Sequence, residues 1–300
     1  MIRKLLICAT VVISSIATAQ ESTSSPYSFY GLGSLKFKGT VENRSMGGIS
    51  VYSDSIHINL RNPASYTGTN LAFYNNEARP VIFALGTSFS STTIETSTAS
   101  DSYSNSAIDY LAVALPLNKF GLGFGVLPYS SVGYNLQSRN ENNDLQYRYR
   151  GEGGINRAFV GLGYQVSKNL KIGVDTQYNF GNISNTSIAF GYNDFGELLQ
   201  FQSREVNRSD LGGFSFNFGT IFNKKINNSI ELMVAASYSP EASIASKNQS
   251  EFSTIVIDSD QTEFIVDSSI VDLESDDLAE TSLILPSKTN FGIGIGKPRK

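Results

Sequence analysis

The sequence holds one cysteine, one histidine and no tryptophan. Cys8 lies inside an N-terminal apolar run, and a leader cut after Ala19 removes it. What remains carries no thiol, which excludes a disulfide framework and a thiolate metal site. His57 stands alone, so no histidine cluster can bind a metal and no Ser–His pair forms. No strand-elbow motif surrounds any serine, and the chain is not read as an enzyme. Charged residues are only 17 %, against about 25 % in ordinary soluble domains. The net charge of −4 leaves no basic footprint for nucleic acid. No apolar run after the leader approaches 18 residues, so no helix is expected to span a membrane. A closed barrel is the one spanning structure left open.

The leader covers residues 1–19. Arg3 and Lys4 give its positive start, Leu5 to Ala17 its apolar region, and Ala17-Thr18-Ala19 its small-residue cleavage pattern. The apolar region is too short for a membrane helix. Loss of Arg3 and Lys4 takes the net charge from −4 to −6.

What the chain does have is alternation. Leu170, Ile172, Val174, Thr176, Tyr178 and Phe180 alternate with Lys171, Gly173, Asp175, Gln177, Asn179 and Gly181. Phe120 to Val126 alternates with Gly121, Gly123 and Gly125, and Ala158 to Tyr164 with Phe159, Gly161 and Gly163. Segments at Phe83–Phe89, Leu111–Leu117, Phe214–Phe222, Ile230–Tyr238 and Phe291–Ile295 complete a set of eight, each with one apolar and one small or polar face. Their connections alternate too. Asn118-Lys119, Ser167-Lys168-Asn169 and Asn223–Asn228 are short, whereas 91–106, 137–155, 193–210 and 239–282 are long and polar. Short turns at one end and long loops at the other are the pattern of outer-membrane barrels. The expected fold is therefore an all-β transmembrane antiparallel barrel, apolar side chains to lipid and Gly, Asn, Gln, Asp and Lys to the lumen. A large secreted sandwich is the alternative.

Ahead of the strands, residues 20–70 read as a compact, irregular piece. Gly47-Gly48 supplies backbone freedom and Pro63 forces Asn62 out of the helical region. Irregular backbone at membrane depth is tolerated only inside a lumen, so this piece is expected to be a hatch, with Gly47, Gly48, Asn62, Pro63 and Ala64 shaping it. Eight strands make a barrel filled by its own side chains. A hatch needs a wider one, so residues 71–300 are expected to be part of a longer strand array.

The motifs Pro26-Tyr27-Ser28-Phe29-Tyr30-Gly31-Leu32-Gly33, Met46-Gly47-Gly48, Asn62-Pro63-Ala64 and Gly151-Glu152-Gly153-Gly154-Ile155-Asn156, followed by Gly161-Leu162-Gly163-Tyr164 and Leu170-Lys171-Ile172-Gly173, resemble the FadL family of outer-membrane transporters. The resemblance covers essentially the whole mature chain. It implies a barrel of about 14 strands, of which about eight are visible here, plugged by an N-terminal hatch. It implies passive transport of long-chain fatty acids or aromatic hydrocarbons, with lateral exit at a kink in the third strand. Pro128 interrupts that strand and is the candidate kink, because proline cannot donate to the ladder. Arg44 and Arg61 are the candidate partners of a ligand carboxylate. A porin-like channel and a structural or adhesive surface barrel are the alternatives. The expected partners are a hydrophobic small molecule and outer-membrane lipid, with the chain a monomer and no cofactor or metal. Asp258 to Glu280 is strongly acidic and reads as a solvated outer loop, with a hairpin of its own at Ile255-Val256-Ile257 and Phe264-Ile265-Val266. His57 is expected to pack inside the hatch.

Overall fold

The computed structural model describes residues 25–52, 57–67, 81–95, 100–258 and 260–297. The expected leader lies outside them. The described chain is mostly β, one antiparallel sheet of 13 strands. β1 (Ser34–Leu35) belongs to the N-terminal piece; β2 (Ile82–Glu95), β3 (Ser100–Leu117) and β4 (Phe120–Pro128) open the wall. β5 (Ser130–Arg139), β6 (Leu145–Gln165), β7 (Leu170–Ala189) and β8 (Gln202–Lys225) continue it. β9 (Glu231–Ser239), β10 (Ala242–Ile257), β11 (Glu263–Ile270), β12 (Glu280–Leu285) and β13 (Lys288–Gly296) end it. Along the end bearing the short turns the order is β2-β3-β4-β6-β7-β8-β9-β13. These are the eight alternating segments of the sequence.

β10 and β11 stand where a long loop is expected, and β5 runs from the stretch after Pro128 into another. β6, β7 and β8 run 21, 20 and 24 residues, about twice the 9–11 that cross a bilayer. The polar stretches at 91–106, 137–155 and 193–210 largely extend the strands on either side of them, and 239–282 supplies β10, β11 and part of β12. Period two is weak there because both faces are polar, so apolar alternation could not reveal them. The hairpin at Ile255–Val266 does form: Val256 pairs with Phe264.

The sheet is not closed into a barrel. Among the described residues β2 pairs with β3 alone and β13 with β9 alone. The side-chain pattern is nevertheless inside-out for a water-soluble sheet. Phe83, Leu111, Phe124, Val160, Phe214 and Ile293 are exposed on one face. On the other, Arg157, Lys171, Asp175, Gln177, Asn179 and Asn217 are buried.

What buries them is the N-terminal piece, which lies against the inner face. It contains a 3₁₀ turn (Pro26–Phe29), the short helix α1 (Val41–Ser45) capped by Thr40 and Asn43, and a second 3₁₀ turn (Pro63–Tyr66). The pairing register explains how the last turn fits. Gly121 pairs with Gly163, Gly163 with Gly173, and Gly173 with Gly219. Four glycines thus form one row across β4, β6, β7 and β8, a trench without side chains. Residues 62–67 lie along it. A Cβ at Gly121 would strike the Tyr66 carbonyl, one at Gly173 would stand 2.5 Å from the Ala64 nitrogen, and one at Gly219 would strike the Asn62 side chain. The next row, Gly123, Gly161, Asp175 and Asn217, receives the Tyr66 ring, 1 % exposed.

The trench predicts a specific failure. Gly173→Val forces the segment off the wall at an overpacking cost of about 1–3 kcal/mol. Trypsin cleavage after Arg61 in detergent micelles should then speed up on the order of tenfold. Gly296→Val, where a Cβ meets open space, should leave the cleavage rate unchanged.

Candidate functional site

Three long strand paths are interrupted, each at a proline. β4 and β5 are successive stretches of one path along β6, broken at Pro128-Tyr129. Residues 129–131 stand against only 154 and 155 of β6, so the break is a bulge. Gly154, at φ +142°, lets β6 pass close to the Ser130 carbonyl. β9 and β10 are likewise one path along β8, broken at Pro240. β12 and β13 follow β10 and β9 and break at Pro286, one residue off the position opposite Pro240. Proline has no N–H for the ladder, so each break is a place where pairing cannot continue.

The three breaks border a single cavity of about 280 Å³ on the inner face. Its floor is the N-terminal run Leu35–Lys38 with Arg61, and its walls bring Arg157, Gln177, Asn217, Lys288 and Asn290. Tyr129 sits at its rim. The Tyr129 nitrogen donates to the Ile155 carbonyl at 2.7 Å, and its own carbonyl accepts from the Lys36 nitrogen at 2.9 Å. The ring therefore has a fixed position. The Arg157 guanidinium lies 4.4 Å from the ring centroid and the Lys288 ammonium 5.5 Å, both within cation–π range. Arg157 donates from Nε to Asn179 Oδ1 at 2.7 Å, and Asn179 is held in turn by Ser215.

Positive charge dominates. Lys36, Lys38, Arg61, Arg157 and Lys288 line the cavity. The buried carboxylate near them is Asp175, which accepts from Asn217 at 3.1 Å. Arg157 is the most enclosed of the five; Lys38 is partly buried and also lines the cavity, and protein crowds its ammonium. Burial pushes its ammonium pKa down to about 8; Arg157, Arg61 and Lys288 add to the fall, and Asp175 opposes it.

A larger, more open cleft of about 590 Å³ lies further along the wall, where Ile94 and Tyr103 face Tyr134, Arg150 and Glu152. Its cation is already committed, since Arg150 donates to Glu263 at 2.6 Å. That contact, with Arg204–Glu263 at 3.5 Å, ties the β10–β11 turn back to β6 and β8.

The sequence-derived residues divide between two roles. Asn62, Pro63 and Ala64 dock the N-terminal piece: Asn62 Nδ2 donates to the carbonyls of Thr220 and Ala236, both at 3.1 Å, and its Oδ1 accepts from the Ala64 nitrogen. Gly47 and Gly48 take positive φ, +68° and +85°, in the turn that ends α1. The Gly48 carbonyl accepts from Arg61 Nη1 at 2.5 Å. Arg61 reaches the cavity and Pro128 borders it. Arg44 lies elsewhere, more than half exposed, 3.7 Å from Asp109. His57 does not pack inside; it is exposed, 3.8 Å from Glu42. Lys38, Arg157, Pro240 and Pro286 were not singled out in the sequence. The two prolines carry a signal like that of Pro128, a proline ending a strand-like run, as in Leu283-Ile284-Leu285-Pro286. Among the described residues no three His, Cys, Asp or Glu side chains come together as a metal-binding group.

A family model for BamG matches residues 1–300. The chain belongs to the BamG family. No curated protein and no solved structure matches it. The family overturns the expectation of a FadL-type transporter for fatty acids or aromatic hydrocarbons. The motifs that suggested it are glycines and a proline turn that any sheet packed on an inner segment requires, and they carry no information about cargo. The role of Pro128 as a lateral exit, and of Arg44 and Arg61 as receptors for a fatty-acid carboxylate, falls with that expectation. For a BamG-family chain the feature to explain is the cationic cavity.

One of its cations, Lys38, makes stability depend on pH. The folded-state pKa of Lys38, about 8, lies below the free value of 10.5, so between them the unfolded chain binds more protons and stability rises with pH. Below pH 8 both states are protonated and the destabilisation is fully present. The unfolding midpoint of the wild type should therefore gain on that of Lys38→Met as pH is raised from 8 to 10.5. A constant difference between them would place Lys38 in water.

Proposed function

We propose that this BamG-family chain works at the outer membrane as a component associated with the β-barrel assembly machinery. The match of the family model to the whole chain carries the reading. The geometry supports it in two ways. The outward face from β2 to β13 bears an apolar belt suited to lipid. Beyond that belt β6, β7, β8 and β10 extend as a largely polar sheet, edged by β11 with Phe264, Ile265, Val266 and Ile270 exposed, a surface suited to a protein partner. The proposal includes a membrane-spanning wall. In hydrocarbon an unpaired strand edge is not tolerated, so the free edges of β2 and β13 would be satisfied by each other or by further strands, in a single copy of the protein. The chain would act by binding and positioning, without a catalytic centre of its own.

Purification of a tagged chain from mildly solubilised envelopes tests the association. The core subunit of the assembly machinery should be recovered with it in comparable amount, and depletion of the chain should lower the folded fraction of other outer-membrane barrels. Recovery of the tagged chain alone, with other barrels folding normally, would sink the proposal.

The membrane placement has its own test. Val160, 62 % exposed on the outer face, becomes costly as arginine, by about 2–4 kcal/mol at the bilayer midplane. Val160→Arg should lower the temperature at which the folded, fast-migrating form is lost in vesicles. Ser269→Arg, on β11 beyond the belt, should not. Equal behaviour would take the belt out of the bilayer.

A further inference from the structure

We propose that the cavity bounded by the three proline breaks binds a phosphate-bearing ligand. The site is built for an anion by the backbone itself. The breaks at Pro128, Pro240 and Pro286 open the wall at one level, and the opening is lined by cations carried on independent elements: Lys38 from the N-terminal piece, Arg157 from β6 and Lys288 from β13. Two of these have spare donors. Among the described residues the Lys38 ammonium makes no hydrogen bond or ion pair. Arg157 is 92 % buried, with its Nε on Asn179 and its face on Tyr129, and among the described residues both its Nη groups remain without acceptors. Both residues line the cavity, where those donors can reach a ligand. An oxyanion there can accept from both residues together.

Charge selects the class of anion. Asp175 faces Lys38 and Asp109 faces Lys36, so the five lining positive charges exceed these two carboxylates by three. A carboxylate ligand brings a single negative charge, whereas a phosphate monoester brings up to two and three acceptor oxygens. Arginine and lysine together suit that group. Size gives the other limit. The cavity, at about 280 Å³, falls just under the range of about 300–1,000 Å³ for whole drug-sized ligands. It holds a head group and the start of a chain, for which Leu35, Phe37 and Leu127 supply an apolar flank. Both a lipid head group and a free phosphate compound present this chemistry.

Calorimetric titration of the purified full chain in dodecyl maltoside micelles at pH 7 tests the site, with inorganic phosphate and dodecyl phosphate as probes. At least one probe should bind. Its affinity should fall at least tenfold in Lys38→Met, a change that breaks no hydrogen bond among the described residues, and at least threefold in Arg157→Lys, which keeps the charge but not the paired donors. Exposed Lys224→Met should bind as wild type does. Dodecyl phosphate binding ten times more tightly than inorganic phosphate assigns the site to a lipid head group. Equal affinities assign it to a free anion. The proposal is overturned if neither probe binds, if both cavity variants bind as wild type does, or if dodecanoate binds as tightly as dodecyl phosphate.

Discussion

The structure depends on a contact between backbones. Residues 62–67 cross β4, β6, β7 and β8 at a level where each strand offers a glycine, and the register places Gly121, Gly163, Gly173 and Gly219 side by side. Without those four side chains the 3₁₀ turn sits directly on the ladder, and Asn62 reaches the carbonyls of Thr220 and Ala236. One methyl group in that row is enough to lift it. The polar inner face follows from the same contact. Asn179 and Asn217 can be buried in the sheet because their neighbours supply hydrogen bonds, as in Asn179 Nδ2 to Ser215 and Asn217 Nδ2 to Asp175.

Glycine and proline therefore divide the wall between them. Glycine rows bring the inner segment close; proline breaks hold the strands apart. The trench is tightly filled, with Ala64 and Tyr66 almost without surface. The cavity beside it is polar and open to a ligand. Both lie against the same stretch of chain, since Arg61 lines the cavity and Asn62 begins the trench. A ligand that draws Arg157 and Lys38 together would press on the segment whose last turn the glycines hold.

The wall was legible because its faces contrast: eight segments with apolar residues on one side and small or polar ones on the other. The strand extensions were not, since serine, asparagine and threonine on both faces leave no period to find. The glycines could be placed on the inner face, but not aligned, because alignment is a property of register, and register depends on the whole sheet. Pro128 showed as a break for a local reason. Its partnership with Pro240 and Pro286 did not, because residues more than 100 positions apart meet only once β8, β9 and β13 have paired. Cargo was the least legible of all. Gly-Gly and Asn-Pro-Ala report how a chain packs, and packing motifs are shared by proteins that do different things.

The cations of the cavity argue that its polarity is not incidental to the fold. The outer face of the sheet meets its surroundings with phenylalanine, leucine and valine. A wall needing only to be filled could hold the same residues inside, and well-packed apolar groups are often as stable as buried ions or more so. Instead Lys38 is carried inward by an irregular segment and left with its ammonium on the cavity, against the repulsion of Arg157, Arg61 and Lys288. Asp175 offsets only part of that repulsion. Sequences that keep such an uncompensated cluster retain free-energy cost in the empty protein. A site of this kind is understandable where an anion completes it, and it is the part of this chain least explained by the demands of folding alone.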